Sequence, residues 1–287
     1  MIIFKVPYDK GGGKKSMGAR FGPSAIKRAF EQISWRGAED GTAHPTLQWI
    51  HTHGASLEYY RNRAESLFAD TFAPFITLSG DNSCSFETVR IVASHVRHVS
   101  LVVFDAHPDA CDSSHDPHAD WVRRLWHEDL VMPEKTVFFG IRDAEEAEIQ
   151  YVKKQKATVV TMDDIYFPDN GVLEYVLNLA MSQYTSSWQP FSAHGLVIIV
   201  DIDVLDPAYA PGTGVLRAGG LHVRHVLRII RKLCALPFAI KVGEICEVIP
   251  KEGNKMRSRL QKRPDPCGLT VLAAEAIFRE MIRSMSV

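Results

Sequence analysis

Short apolar runs recur along this chain, separated by longer segments with one apolar face. Ile2 to Val6, Leu47 to Ile50, Phe75 to Leu78, Leu101 to Phe104, Thr136 to Ile141, Thr158 to Met162, Leu196 to Val200 and Phe238 to Val242 read as strands. Helical spacing appears between them. Ile26, Phe30 and Ile33 follow Pro23, which suits a first helical turn. Phe86, Val89, Val92 and Val96 form a second stripe, and Val226, Ile229, Ile230 and Leu233 another. Helices are also predicted to start at Trp121, to open at the acidic stretch Glu145 to Glu148, to run from Val172 to Met181, and to close the chain from Leu269 to Met285. Residues 11–15 read as a flexible polar loop, and residues 183–195 as another. Strand alternating with helix, without a repeat period, predicts one α/β domain over residues 1–287 around a mostly parallel sheet.

Composition narrows the partners. The chain has 33 basic and 34 acidic residues, a net charge of −1, so nothing marks a nucleic-acid surface. No apolar run reaches the roughly 18 residues that a membrane span needs. Five cysteines at irregular spacing suggest reduced thiols in a cytoplasmic protein rather than a disulfide framework or a zinc knuckle.

The chemistry gathers at two strand ends. Leu101-Val-Val-Phe104 runs into Asp105, His107 and Asp109, spaced two apart. In extended chain such residues share a face. The spacing leaves two readings open, a polar turn or a divalent-ion site of oxygen and imidazole ligands. Leu196 to Val200 repeats the design, running into Asp201 and Asp203, with Pro207 expected to end the strand. Buried carboxylates repel one another unless a cation neutralises them. Two such strands suggest neighbours in a parallel sheet. Four carboxylates and an imidazole suffice for two ions sharing bridging carboxylates. The residues Asp81, Asn82 and Ser83 read by themselves as helix caps.

Asp105-Ala-His107-Pro-Asp109, followed by Asp201-Ile-Asp203-Val-Leu-Asp206-Pro and Pro211-Gly-Thr-Gly214, resembles the ureohydrolase family of arginases and agmatinases. The segment from Gly18 to Ile26, Gly80-Asp-Asn-Ser83 and Glu247-Val-Ile-Pro250 extend that resemblance over nearly the whole chain. The resemblance implies a three-layer α-β-α sandwich and a binuclear manganese centre, with other divalent ions possible. Asp105 and Asp201 would bridge two Mn2+ ions, Asp109 would join the first, and His107 and Asp203 the second. Asp109, His118 and Glu247 would be the catalytic set: His118 as proton shuttle, with His115 competing, and Glu247 gripping a guanidinium.

One position departs from the family pattern. Asn82 stands where the family places a ligand histidine. As a ligand, its amide would weaken the first ion, admit water, or lose the ion. The acids Asp112, Asp116 and Asp120 then favour a guanidino substrate without a carboxylate, of the agmatine kind. Arginine or another amidine or formimino compound is the alternative, and a metal-deficient, non-catalytic homologue is the competing class. The resemblance further implies a homo-oligomer, trimeric or hexameric.

Overall fold

Residues on alternate sides of each strand face opposite ways, and here both ways lead into apolar layers. In the computed structural model, which describes residues 1–33, 45–52, 56–112, 117–166, 194–254, 265 and 267–286, eight strands form one sheet. They are β1 (Ile2–Val6), β2 (Gln48–His51), β3 (Phe75–Ser79), β4 (His98–Phe104), β5 (Thr136–Ile141), β6 (Thr158–Thr161), β7 (His194–Asp201) and β8 (Ile240–Cys246). Their order is β2-β1-β3-β8-β7-β4-β5-β6, and every pairing is parallel.

Val102 and Phe104 of β4, with Leu196, Ile198 and Val200 of β7, enter one layer. That layer is closed by α1 (Gly22–Gln32), by α6 (Val223–Cys234) through Val226, Ile229 and Ile230, and by α7 (Leu269–Met285) through Ala274, Ile277 and Phe278. Leu101, Val103, Val197 and Ile199 enter the opposite layer. There they meet α2 (Leu57–Leu67), α3 (Ser83–Ala93), α4 (Trp121–His127) and α5 (Glu146–Lys154). The result is the expected three-layer α-β-α sandwich, with its two cores on either side of the sheet. No described helix is long and apolar enough to cross a membrane.

The predicted strands and most of the predicted helices form close to their expected bounds. Helix α2 has no counterpart in the prediction, because only Tyr60 and Ala64 are buried on an otherwise polar helix, capped by Ser56. Residues 13–16, expected as flexible loop, form a helical turn. The expected helix from Val172 to Met181 lies outside the described residues. Strand β7 ends at Asp201, well before Pro207, and Ile202–Val204 is a 3-10 turn.

All strands run the same way, so all carboxyl ends lie on one edge, where α/β proteins place their sites. Phe104 of β4 pairs with Val200 of β7, and Asp201 of β7 with Cys246 of β8. Asp105, Asp201 and Glu247 therefore leave the sheet side by side. The turn after β3 is locked against its neighbours. Gly80 N–H donates to the Val6 carbonyl at 3.0 Å, and its own carbonyl accepts from Glu247 N–H at 2.7 Å. A Cβ on Gly80 would lie 1.8 Å from the Tyr8 carbonyl oxygen.

Beneath that edge sits a buried polar network. Glu244, inside β8, accepts from Ser79 Oγ at 2.7 Å and lies 3.0 Å from Ser85 Oγ. Tyr60 Oη lies 2.8 Å from Thr77 Oγ1 and 3.1 Å from Thr88 Oγ1. Burial, with the nearby Asp81 charge adding, pushes the Glu244 carboxyl up to about 7.

Two outcomes follow from these contacts. Gly80→Ala drives a carbonyl out of register and costs at least about 2 kcal/mol, read as a lower urea midpoint; a midpoint equal to the parent's contradicts the clash. For Glu244, the folded state keeps a proton that the unfolded state releases, starting from the ordinary value of 4.5. Stability from this group is present below that value and is lost as pH rises to about 7. The full loss is roughly 3 kcal/mol. Glu244→Gln removes it, so the variant's Tm should gain on the parent's from pH 5 to about pH 7 and then level off. Parallel Tm curves would refute the assignment.

Candidate active site

The strand ends deliver their acids through turns. Strand β4 stops at Phe104, so alternation does not carry Asp105, His107 and Asp109 to one face, as extended chain would. The chain curls instead: His107 N–H donates to Asp105 Oδ1 at 2.7 Å, and Asp109 adopts φ +49°. The same correction applies beyond β7, where Asp203 N–H donates to Asp201 Oδ1 at 2.8 Å within the 3-10 turn. Arg142, after β5, clamps that turn. Its guanidinium donates to the carbonyls of Gly140, Asp203, Val204 and Leu205.

Two groupings result. In the first, His107 Nδ1 lies 3.3 Å from Asp105 Oδ1 and 3.2 Å from Asp203 Oδ2. Ligand atoms of Asp105, His107 and Asp203 all fall within 4.8 Å of one another, the spacing of a metal site. His107 Nε2 is 3.2 Å from Asp143 Oδ2, the carboxylate partner that orients a ligand imidazole. Arg217 in turn donates to Asp143.

In the second grouping, Asn82 Nδ2 lies 2.6 Å from Asp109 Oδ2, 3.2 Å from Asp105 Oδ2 and 3.2 Å from Asp201 Oδ2. Asn82 makes no side-chain cap to α3 and presents its amide nitrogen, not the oxygen expected of a ligand. Trp121 Nε1 supplies a further donor to Asp109 at 2.9 Å.

Electrostatics follow from burial. Asp105 is pushed up to about 7 by burial and by the Asp203 charge. Asp109 is held well above the ordinary value by burial and Asp105, and Asp201 by burial and Asp203. Burial alone would lower His107, but the carboxylates of Asp203 and Asp105 raise it overall. Burial would raise Asp203, and the His107 charge brings it below its usual range. This pattern of mutually raised acids suits a cation site, because each carboxylate is costly alone.

Glu247 sits just past β8 with φ +58°, a strained backbone for a side chain other than glycine. Its Oε1 accepts from Ser16 Oγ at 2.8 Å and from Asn82 N–H at 3.1 Å. Its Oε2 is buried and has no hydrogen-bond partner among the described residues. Burial and the Asp81 charge push it up to about 8. Asp81 is not a simple cap: it accepts from Gly11 N–H at 2.7 Å and Gly12 N–H at 3.1 Å, fastening the loop that carries Ser16.

These groups open onto a cavity of about 470 Å³. Asn82, His107, Asp109, His118, Asp201, Asp203 and Glu247 line it. His115 lies outside the described residues. Of the three acids expected to face the substrate, neither Asp112 nor Asp120 lines the cavity. Asp112 is exposed and pairs with Arg123 at 3.1 Å, Asp120 is buried at the start of α4, and Asp116 is outside the described residues. Glu145 and Glu148 supply acids instead, beside Lys15 and Arg217. Residue types alone could not reveal Ser16, Trp121, Asp143 or Arg217, because nothing in their local sequence points to the site.

The chain's relatives agree with this architecture. The sequence is 28% identical over 302 residues to an agmatinase of Neisseria meningitidis, covering 98% of this chain and 85% of that protein. It is 27% identical over 265 residues to a formimidoylglutamase of Bacillus subtilis, covering 86% and 79%. The crystal structure of formimidoylglutamase from Bacillus subtilis superposes with a TM-score of 0.83 at 24% identity, covering all of this chain and 86% of that one. Proclavaminate amidino hydrolase from Streptomyces clavuligerus superposes with a TM-score of 0.80 at 24% identity, covering 99% and 91%. The arginase-family sequence profile matches residues 1–282, and on that match the chain belongs to the arginase family, the ureohydrolases.

Proposed function

We propose that the protein hydrolyses a cationic guanidino compound of the agmatine type to urea and an amine, with a divalent ion as cofactor. The observation that carries this reading is Glu247. Its buried Oε2 has no hydrogen-bond partner among the described residues, and the residue lines the cavity. A carboxylate held in this way suits a pair of guanidinium N–H donors. The lining acids Asp109, Asp143, Glu145, Glu148, Asp201 and Asp203 outnumber Lys15 and Arg217, which favours a cation. The agmatinase name of the Neisseria relative points the same way. Lys15 and Arg217 favour a second reading, an amidino substrate that carries a carboxylate.

Asp105, His107 and Asp203 fit a divalent ion by spacing and by donor type, and oxygen-rich ligation with one imidazole suits Mn2+. When bound, such an ion supplies Lewis acidity and acidifies water. The protein's own groups do the rest. Glu247 holds the guanidinium and fixes its carbon against the acid cluster. Asp109 is fixed by Trp121 and Asn82 on the same wall. Water adds to the guanidinium carbon, the carbon–nitrogen bond to the alkyl amine breaks, and His118 passes a proton to the departing nitrogen.

Urea release from agmatine, arginine and a guanidino acid, measured with Mn2+ present, tests this reading. Agmatine should be favoured over arginine at least about tenfold in kcat/KM, a difference of roughly 1.4 kcal/mol. Glu247→Gln should lower kcat/KM by roughly 100-fold, the value of a lost charge-assisted pair. Strong turnover of arginine with none of agmatine would sink the substrate assignment. Absence of urea from all three would sink the activity.

A further inference from the structure

The residues at the first of the two expected ion positions do not fit an ion. A cation held by Asp105, Asp109 and Asp201 would sit where their oxygens converge. Asn82 Nδ2 is already within hydrogen-bond distance of one oxygen from each, at 3.2, 2.6 and 3.2 Å. The neighbours decide which end of the amide points inward. Cys246 Sγ lies 3.1 Å from Asn82 Oδ1 and Ser85 Oγ lies 2.9 Å from it, both as donors. Turning the amide over would set its oxygen against the oxygens of three carboxylates and give up the hydrogen bonds it accepts from Cys246 and Ser85. The oxygen therefore faces away from the acids and cannot ligate an ion among them.

The facing oxygens of Asp109 and Asp201 are already hydrogen-bonded to this amide. Asp201 gives Oδ1 to the Asp203 N–H and Oδ2 to Asn82. Asp109 Oδ2 receives both Asn82 and Trp121. Among the described residues, the group with metal-ligand spacing is Asp105, His107 and Asp203, which leaves out Asp109 and Asp201.

We propose that this protein holds one divalent ion per chain, at Asp105, His107 and Asp203, and that the Asn82 amide takes the place of the other ion. The amide acts as an uncharged cross-link, tying together the turns after β3, β4 and β7. It keeps the acids in position but supplies N–H donors where an ion would supply two positive charges. The inference rests on the cofactor assignment proposed above and narrows it to one ion.

Metal counting on the full chain is the test. The protein is equilibrated with manganese chloride, freed of unbound ion, and its manganese measured per chain, with the electron paramagnetic resonance spectrum recorded alongside. The parent should bind one ion and give the spectrum of isolated Mn2+. Asn82→His should bind two and give a spin-coupled spectrum. Two ions in the parent, none in the parent, or one in both proteins would each overturn the proposal. Should Asn82→His fail to fold, anomalous diffraction from manganese-soaked parent crystals decides. A single peak at Asp105, His107 and Asp203 supports it, and a second peak between Asp109 and Asp201 overturns it. One bound ion without urea release would remove the hydrolase reading and leave this inference standing. Two bound ions with urea release would do the reverse.

Discussion

Four aspartates buried within one cluster are the constraint that the rest of this structure serves. Asp105, Asp109, Asp201 and Asp203 are each no more than 7% exposed. Every one of them is expensive to desolvate, and each raises the cost of the next. The surroundings supply compensation from several elements at once: backbone N–H groups of Ala106, His107 and Asp203, the Trp121 indole, the His107 imidazole and the Asn82 amide. Few of these donors are near one another in the chain. The parallel sheet brings them together because it puts all the strand carboxyl ends on one edge.

Holding that edge requires backbone that an unstrained loop would not adopt. Asp109 and Glu247 both have positive φ, and each is pinned through its side chain. Gly80 allows β3 to turn against Tyr8 where no side chain fits. Asp81 fastens the glycine loop, and through it Ser16 reaches Glu247. Strain of about 1–3 kcal/mol per residue is the usual scale for such conformations, and it persists only where surrounding contacts outweigh it. Rigid support of this kind is what a site needs to hold a small planar cation in one orientation.

Within the arginase family the scaffold survives at low identity, as the TM-score of 0.83 at 24% identity illustrates. A single residue can still decide what a cluster of acids faces. Asn82 is 2% exposed, donates through its side chain to three acids and accepts from two donors. Its full set of partners marks a built position rather than a defect, since buried polar groups persist when satisfied.

The sequence by itself determined the strand–helix alternation, the pairing of the two acid-bearing strands as neighbours, and the list of acids at their ends. Those features are local: runs of Val, Ile and Leu and the spacing of Asp and His carry them. It also singled out Asn82 and Glu247, through resemblance to a family. Only the tertiary structure decided how those residues meet. Asp105 to Asp109 and Asp201 to Asp203 converge through turns, not through strand alternation, because the strands end before the acids do. Asp112 and Asp120 do not line the cavity, while Glu145, Glu148, Lys15 and Arg217 line it from distant parts of the chain. Which end of the Asn82 amide faces inward depends on the three carboxylates that accept from it, with Cys246 on the neighbouring strand β8 and Ser85 on α3 bonded to the other end. Composition and spacing name the groups, but long-range packing sets their distances and directions, and the chemistry depends on those.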